Sequence, residues 1–557
     1  MSGDETTTIV SNLRRWAIER ASHRALVLLA DGETESGALT FAELEARAQS
    51  VAAGLCALGA TRKPVLLLCA SELDFVVAFV GCLYAGAIAV PAPTQLRHNL
   101  VDRIAAVAAD AAPAALIATR AGAKIVAALG LGDRPILWLD ELASDAGAVR
   151  DIAPAAPAFI QYSSGSTGSP KGVAVSHGNL VANLDMFCAG FGVHAGSCFV
   201  TWLPLFHDMG LVGHCLAALY QGVTCVLLPP LSFRQRPERW LRAIARYHGT
   251  ISGAPNFAFE LCARRAAQIA ARLDLGGWET AFCGAETIRP ATMERFAAAF
   301  APHGFRASAL TPAYGLAEAT LFVSARSKGS GVATQMREAE GRTRQVVSCG
   351  RVVAGETVRI VDAATQQPVA AGEEGEIWVK GAHVVEGYWN KPAETAASFG
   401  AVIDGAGPFL RTGDLGFLSA DELYVTGRLK DLIVYQGVNI EPSDLEATVA
   451  SAHPALGEIG AAFAVERDDR DEVVVVQELS RPGLHEADFV AVTRAVLTAV
   501  AQAYGLRLHD LALVRPGTVP RTTSGKVRRR ACREMYESSH FDSVRAYRRR
   551  PGDPPTA

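Results

Sequence analysis

The sequence predicts a layered α/β protein in two parts, a large N-terminal domain over residues 1–427 and a small α+β C-terminal domain over residues 428–557. Three observations carry that expectation. The chain has 557 residues, 50% of them apolar and 20% charged, so it is too long for one ordinary domain and can fill two or more hydrophobic cores. Short apolar runs alternate with helical patterns through most of its length. The pattern then changes twice, to a β-rich section from about Glu373 and to a small α+β section after Gly427.

In the first domain, residues 65–69 read as a strand, 73–84 as a helix, 88–90 as a strand and 100–109 as an amphipathic helix. Apolar strands at 158–162 and 173–175 flank a Gly/Ser-rich loop. The theme returns at 198–203, 211–220, 223–228, 237–246 and 279–283, and Pro290 stands where the first turn of a helix over 291–300 tolerates it. Such alternation builds largely parallel sheets with helices against them. Residues 326–344 are polar and contain glycine, and read as a loop or inserted segment. Strand-like pieces at 376–380 and 424–426 mark the β-rich section. In the C-terminal domain Ser443 is set to cap a helix over 444–452, residues 459–465 and 473–478 make a hairpin across the charged turn 466–472, and 487–503 has the length and amphipathicity of a helix.

Composition narrows the function classes. A net charge of −4 gives no global reason to expect nucleic acid or a membrane surface as partner. Basic residues do cluster late (Lys526, Arg528, Arg529, Arg530, then Arg548, Arg549 and Arg550), and a solvated tail is favoured there over a polyanion site. Eleven cysteines without a C-x-x-C pair argue against a disulfide framework and a zinc site, and for a reducing, cytoplasmic setting. The N-terminus has acidic residues and no apolar core, unlike a signal peptide. The long uncharged runs 75–96 and 209–233 are broken by Gly81, Gly86, Pro91 and Pro93, and by His214, Gln221, Gly222, Pro229 and Pro230. Each therefore reads as a buried helix followed by a buried strand, and no membrane span is expected.

Five segments carry chemistry. The first is SSGSTGSPKG over 163–172: Ser163, Ser164, Gly165, Ser166, Thr167 and Gly168 supply backbone N–H groups and hydroxyls, and Lys171 a charge, which suits a phosphate chain. It is not a Walker A loop, because Pro170 and Gly172 stand where glycine and Ser/Thr belong; a plain Gly/Ser linker is the alternative. The second is TPAYGLAEAT over 311–320. Tyr314, between Ala313 and Gly315, offers an aromatic face for a base, and Glu318 with the hydroxyls of Thr311 and Thr320 offers oxygen to Mg²⁺; Glu318 alone would more often be a surface acid. The third, RTGDLG over 411–416, holds Asp414 between glycines, where it suits ribose hydroxyls or simply caps a turn. The fourth, GRLKDL over 427–432, contains Arg428 and Lys430 at the domain junction. The fifth, PRTTSGK over 520–526, is a loop that can carry the Lys526 cation into a site or can be an exposed turn.

In this order and at these separations the five segments resemble the adenylate-forming superfamily of acyl-CoA synthetases, luciferases and peptide-synthetase adenylation domains, from about Trp16 to Glu534. The resemblance implies two layered α/β subdomains plus a β-rich, barrel-like subdomain, and a small mobile lid domain. It implies that ATP and a carboxylate form an acyl-adenylate and pyrophosphate. Residues 163–171 would then hold the β- and γ-phosphates, Thr167 and Glu318 the Mg²⁺, and Gly284, Ala285, Glu286, Ala313, Tyr314 and Gly315 the adenine. Asp414 and Arg428 would hold the ribose, Lys526 would bridge carboxylate and α-phosphate, and Lys430 would be the hinge.

Within the superfamily, WLPLFHDMGLV over 202–212, YGLAEATLF over 314–322, VSCGR over 347–351 and FLRTGDLGF over 409–417 are most similar to fatty acyl-AMP ligases. That similarity implies a fatty or related acid, a separate acyl carrier protein as acceptor, and His207 at the mouth of the acyl pocket, with a purely structural histidine as the rival. The chain departs from those ligases in a shorter inserted segment, 324–346, and in GVNI at 437–440 where many read Gly-Arg-Asn-His. Acyl-CoA synthesis with free CoA is the runner-up for that reason. An inactive relative acting as an interaction subunit is a second alternative, opposed by intact Lys171, Glu318, Asp414 and Lys526.

Overall fold

Where apolar runs alternate with helical patterns, the chain lays down two α/β sheets. The structure is a computed structural model that describes residues 8–93, 100–131, 133–142, 149–163, 170–269, 273–339, 342–353, 355–435, 438–467, 470–522, 525–538, 540–541 and 543–548. Its contacts divide the chain into two units, and the second takes Met336–Arg344 and Gly413–Leu415 in addition to Thr426–Ala557.

In the first unit a six-stranded sheet runs Ile136–Trp138, Ala115–Ala118, Pro64–Leu68, Ile88–Pro91, Pro157–Ser163 and Lys171–Ser176. Every neighbouring pair is parallel except the last. Of the uncharged run, residues 75–85 belong to this layer's central helix, Glu72–Ala85, and residues 88–91 to the strand after it. Leu73 and all of Phe75–Ala85 are buried, which is why the helix is apolar on every side. It packs on Phe41–Ala57, itself opened by a reciprocal capping box of Thr40 and Glu43. Gly81 sits at the crossing, where a Cβ would stand 2.4 Å from a Val51 methyl. No helix among the described residues is long and apolar enough to cross a membrane.

A second sheet carries the parallel strands Arg24–Leu28, Thr224–Leu227, Cys198–Thr201, Ile251–Ala254, Thr280–Cys283 and Leu310–Gly315, in that spatial order. The chain passes from Cys198–Thr201 outward to Thr224–Leu227 and then returns to the other flank with Ile251–Ala254, so the strand order reverses here. Loops beyond the carboxyl ends of strands at such a reversal are where open α/β sheets bind ligands. The sheet then continues through Phe322–Ala325, Arg342–Val352, Glu422–Arg428, Ala406–Ser419, Gly375–Lys380 and Thr357–Val361, antiparallel at each step as far as Glu422–Arg428 and again in the last pair. The β-rich section is thus hydrogen-bonded to the second α/β layer.

Three expectations need correction. Residues 326–344 are not a loop throughout: Thr334–Ala339 is a strand and Arg342 opens another. Exposure alternates along 334–338 with a period of two, but nearly all of those side chains are polar, so hydrophobicity shows no period. The helix placed at 211–220 is broken into Asp208–Gly210, a π turn over Leu211–Leu216, and Ala217–Tyr220. There the buried His214 ring takes the Met209 carbonyl, 2.8 Å away, which a regular helix would use itself. The helix placed at 444–452 begins at Pro442, with Glu441 before it and Ser443 inside its first turn, because proline pre-sets the first helical φ.

The second unit is an α+β layer. Leu456–Arg467 and Arg470–Leu479 pair antiparallel, Asp510–Val514 joins parallel to the latter, and Ser543–Arg548 closes the edge. Four consecutive valines, 473–476, are fully buried. Val473 and Val475 face the core shared with Leu445, Val449, Val492 and Val496, while Val474 and Val476 face Cys532 and Tyr536. A strand covered on both faces has no polar side to show. The helix Phe489–Tyr504 is capped by Asp488, whose carboxylate accepts from the N–H groups of Val490 and Ala491. All eleven cysteines are free thiols.

Candidate active site

The Gly/Ser-rich loop joins adjacent antiparallel strands, with Ser163 directly opposite Lys171. Ser164, Gly165, Ser166, Thr167 and Gly168 lie outside the described residues. Lys171 is half-buried, and its Nζ stands 5.0 Å above the ring of Tyr388. The Tyr388 hydroxyl donates to Oε1 of Glu318 at 3.0 Å. Burial, and then the Glu318 carboxylate beside it, push the Tyr388 phenol well above its ordinary range, so it stays a donor. Tyr388 is held by its backbone, opposite Val173, with Trp389 N–H on the Gly172 carbonyl at 2.7 Å. Lys171 and Glu318, 147 residues apart in sequence, thus meet through a tyrosine that sequence reasoning missed. Its only signal was an aromatic pair, Tyr388-Trp389, directly after Gly387.

Glu318 sits in the 3₁₀ turn Ala317–Ala319, whose geometry is fixed from several sides. The Glu318 carbonyl accepts from Val385 N–H at 3.0 Å. Thr320 has φ +64°, and its Oγ1 donates to the His383 carbonyl at 2.7 Å. The Thr311 hydroxyl donates to the Ala309 carbonyl at 3.0 Å. Both threonines are sealed from solvent, which corrects their expected role as oxygen donors to Mg²⁺. At Gly315 a Cβ would lie 1.7 Å from the Leu321 carbonyl oxygen, so no side chain fits the start of this turn.

The two segments expected at adenine run against each other. Thr280–Cys283 and Leu310–Gly315 pair in parallel with Cys283 opposite Pro312, and a Cβ on Gly284 would come within 2.9 Å of the Ala313 carbonyl. Ala285 takes a left-handed φ of +69°. Glu286 then turns back, its Oε1 accepting from Phe257 N–H at 2.6 Å in the first turn of Asn256–Arg265, where a carboxylate is favoured. Tyr314 is 8% exposed and Ala313 and Gly315 half-buried. His207 follows the strand Cys198–Thr201, is a quarter exposed, and sets Nδ1 2.6 Å from Oδ1 of Asp208.

Behind the Glu318 turn lies a buried pair. His383 Nε2 is 3.3 Å from Oε1 of Glu356, and both side chains are closed to solvent. Burial pushes the Glu356 carboxyl up to about 9 and the His383 imidazole down to about 4. The folded chain therefore retains a Glu356 proton that the unfolded chain loses near the ordinary value of 4.5. That contribution is complete below 4.5 and is lost as pH rises toward 9. His383 acts oppositely, losing stability only as pH falls from 6.5 toward 4. Melting temperature should consequently drop between about pH 7 and pH 9, and Glu356→Gln should flatten that drop, as thermal melts across the range will register.

The remaining candidates belong to the second unit. Asp414, 5% exposed, accepts from Arg428 Nε at 2.7 Å, and Leu429 N–H reaches the Gly413 carbonyl at 2.9 Å. Lys430 is exposed in a turn closed by Asp431 N–H on the Arg428 carbonyl at 3.1 Å. Lys526 ends a tight loop: its N–H reaches Thr522 Oγ1 at 3.0 Å and its carbonyl accepts from Thr522 N–H at 2.7 Å.

Residues 13–389 match the family described as AMP-binding enzyme. The chain belongs to that family. Residues 430–545 of this AMP-binding enzyme also match the AMP domain described as Disco-interacting protein 2-like. It is 37% identical to the medium-chain-fatty-acid–[acyl-carrier-protein] ligase JamA of Moorena producens, over 98% of both chains. It is 38% identical to the long-chain-fatty-acid–AMP ligase FadD26 of Mycobacterium marinum, over 96% of this chain and 98% of that one. Among solved structures, the fatty acyl-adenylate ligase of Legionella pneumophila in complex with acyl adenylate and pyrophosphate aligns with a TM-score of 0.76 and 34% identity, over 98% of each chain.

Proposed function

We propose that this AMP-binding enzyme is a fatty acyl-AMP ligase that activates a fatty acid with Mg-ATP and passes the acyl group to the phosphopantetheine thiol of a separate acyl carrier protein. The observation that carries the reading is the Lys171–Tyr388–Glu318 arrangement, a cation and a carboxylate fixed beside the end of a Gly/Ser loop. Full-length similarity to JamA and FadD26 supports the fatty acid, and JamA's name supports the carrier.

A carboxylate oxygen of the acid attacks the α-phosphorus of ATP, and the bond to the β-phosphate's bridging oxygen breaks to release pyrophosphate. No side chain acts as nucleophile, so the protein's contribution is positioning and charge stabilisation. Residues 163–168 and Lys171 grip the β- and γ-phosphates, and Gly284, Ala285, Glu286, Ala313, Tyr314 and Gly315 frame adenine. Asp414 and Arg428, already paired, present the ribose site. Mg²⁺ is a hard cation suited to the Glu318 carboxylate and the Thr167 hydroxyl, and would neutralise charge on the phosphates. Tyr388 holds the Glu318 carboxylate in one orientation. His207 stands at the acyl mouth, Lys526 spans the carboxylate and the α-phosphate, and Lys430 serves as the hinge between domains 1–427 and 428–557.

A second reading, transfer to free CoA, takes its support only from the name of the putative fatty-acid–CoA ligase FadD21 of Mycobacterium tuberculosis, 39% identical over 92% of this chain. A panel of acids with ATP, given CoA, a phosphopantetheinylated carrier or neither, separates the two. Acyl-adenylate from fatty acids and loading of the carrier alone is the expected pattern. Rapid acyl-CoA formation would replace the ligase with a synthetase, and activation of amino acids only would remove the fatty-acid reading.

A further inference from the structure

The geometry points to Gln161 as a positioning residue that aligns His207 with the phosphate-gripping strands. The inference rests on the reading of His207 as the residue at the acid. Gln161 lies on Pro157–Ser163, opposite Val173, and Val173 is two residues from Lys171 and opposite Tyr388 on its other side. Side chains two apart on a strand, and those directly opposed, share a face. Gln161 therefore stands on the same face as Lys171 and Tyr388.

Its amide does not turn to either of them. Nε2 donates to the carbonyl of Phe206 at 2.7 Å, 45 residues further on and one peptide before His207. The other end of the same turn is held too. The Met209 carbonyl lies 2.8 Å from His214 Nδ1, while His214 Nε2 accepts from Gly253 N–H at 3.0 Å. Because Nε2 accepts, Nδ1 must carry the proton, so one neutral tautomer makes both bonds. The turn 206–209 is thus spanned between a strand of the first sheet, through Gln161, and a strand of the second, through His214.

The cost of this arrangement marks it. Gln161 is 4% exposed, and its Oε1 has no hydrogen-bond partner among the described residues. Packing alone would be served by an apolar side chain, without an orphaned acceptor. The donated bond fixes where the peptide before His207 sits relative to Lys171. Losing it leaves the nucleotide's own contacts in place and misaligns the acid.

The test is a double-mutant cycle in the full-length chain, with pyrophosphate release from a fatty acid and Mg-ATP as readout. Gln161→Leu should lower kcat ~30-fold, within the range a misplacement of about 1 Å produces, while KM for ATP stays within about twofold. In a His207→Ala background the same change should cost less than about threefold, because its effect passes through a ring already removed. Equal losses in both backgrounds, or a raised KM for ATP with kcat intact, would overturn the inference. An unaffected His207→Ala enzyme would instead overturn the role given to His207. Should Gln161→Leu not fold, Gln161→Glu takes its place, since its carboxyl donates only when protonated. Its kcat relative to the parent should then rise as pH falls from about 8 to about 5.5, and a flat ratio would refute the bond's role.

Discussion

Replacing Lys526 by alanine should lower ATP–pyrophosphate exchange by about 10²–10³-fold. The expectation follows from the reaction's lack of a protein nucleophile. Negative charge gathers on the α-phosphate as the acid attacks, and a preorganised cation is the means by which the protein favours that state over the ground state. The N–H and the carbonyl of Lys526 both bond to Thr522, so these two bonds that shape the turn do not use the ammonium. Lys526→Arg keeps the charge but not its position, and should recover only part of the rate. Exchange at the parental rate in Lys526→Ala would sink the adenylation mechanism.

The largest effect on stability is expected at Arg529. Its guanidinium grips Glu446 with two bonds, 2.7 and 2.8 Å, and reaches Asp431 Oδ2 at 3.3 Å. Glu446 is almost closed to solvent and also accepts from Ala462 N–H at 3.0 Å. Four parts of the second unit meet there: the junction turn, the helices Pro442–Ser451 and Arg529–Glu537, and the strand Leu456–Arg467. Arg529→Met would fill similar volume and strand the carboxylate. Breaking a buried pair from one side costs about 3 kcal/mol at the low end of the usual range, suited to a guanidinium that is a quarter exposed. Denaturant melts should show the second unit unfolding first. The double change Arg529→Met with Glu446→Leu should recover most of the loss, and failure to recover would place the effect in packing rather than in the stranded charge.

Much of the layered fold was legible because burial imposes a period on sequence. The apolar run 75–85 of the helix Glu72–Ala85 and the valines 473–476 read correctly because both are covered on every side. Thr334–Ala339 escaped notice because its alternation is one of exposure among polar side chains. The π turn at Leu211–Leu216 was hidden because a single histidine ring, through contacts with Met209 and Gly253, decides it. The site divides in the same way. Lys171, Glu318 and the segments around Gly284 and Tyr314 announce themselves by residue type and spacing. Tyr388 and Gln161 do not, since each acts on a partner 70 and 45 residues away whose proximity only the fold creates. Thr311 and Thr320 show the converse: a hydroxyl in a motif looks available until its backbone acceptor is seen.

The hydrogen-bonded continuity of the second sheet limits how this protein can be recombined. A chimera that joined the first 325 residues of this chain to the β-rich part of a relative would have to reproduce the register in which Ser324 faces Val352 and Ala325 faces Arg351. A chain cut short at Ala325 would leave Phe322–Ala325 as a bare apolar edge, open to pairing with other molecules. Exchange of acyl specificity among such enzymes is therefore better attempted by swapping side chains in the loops beyond the parallel strands than by swapping blocks.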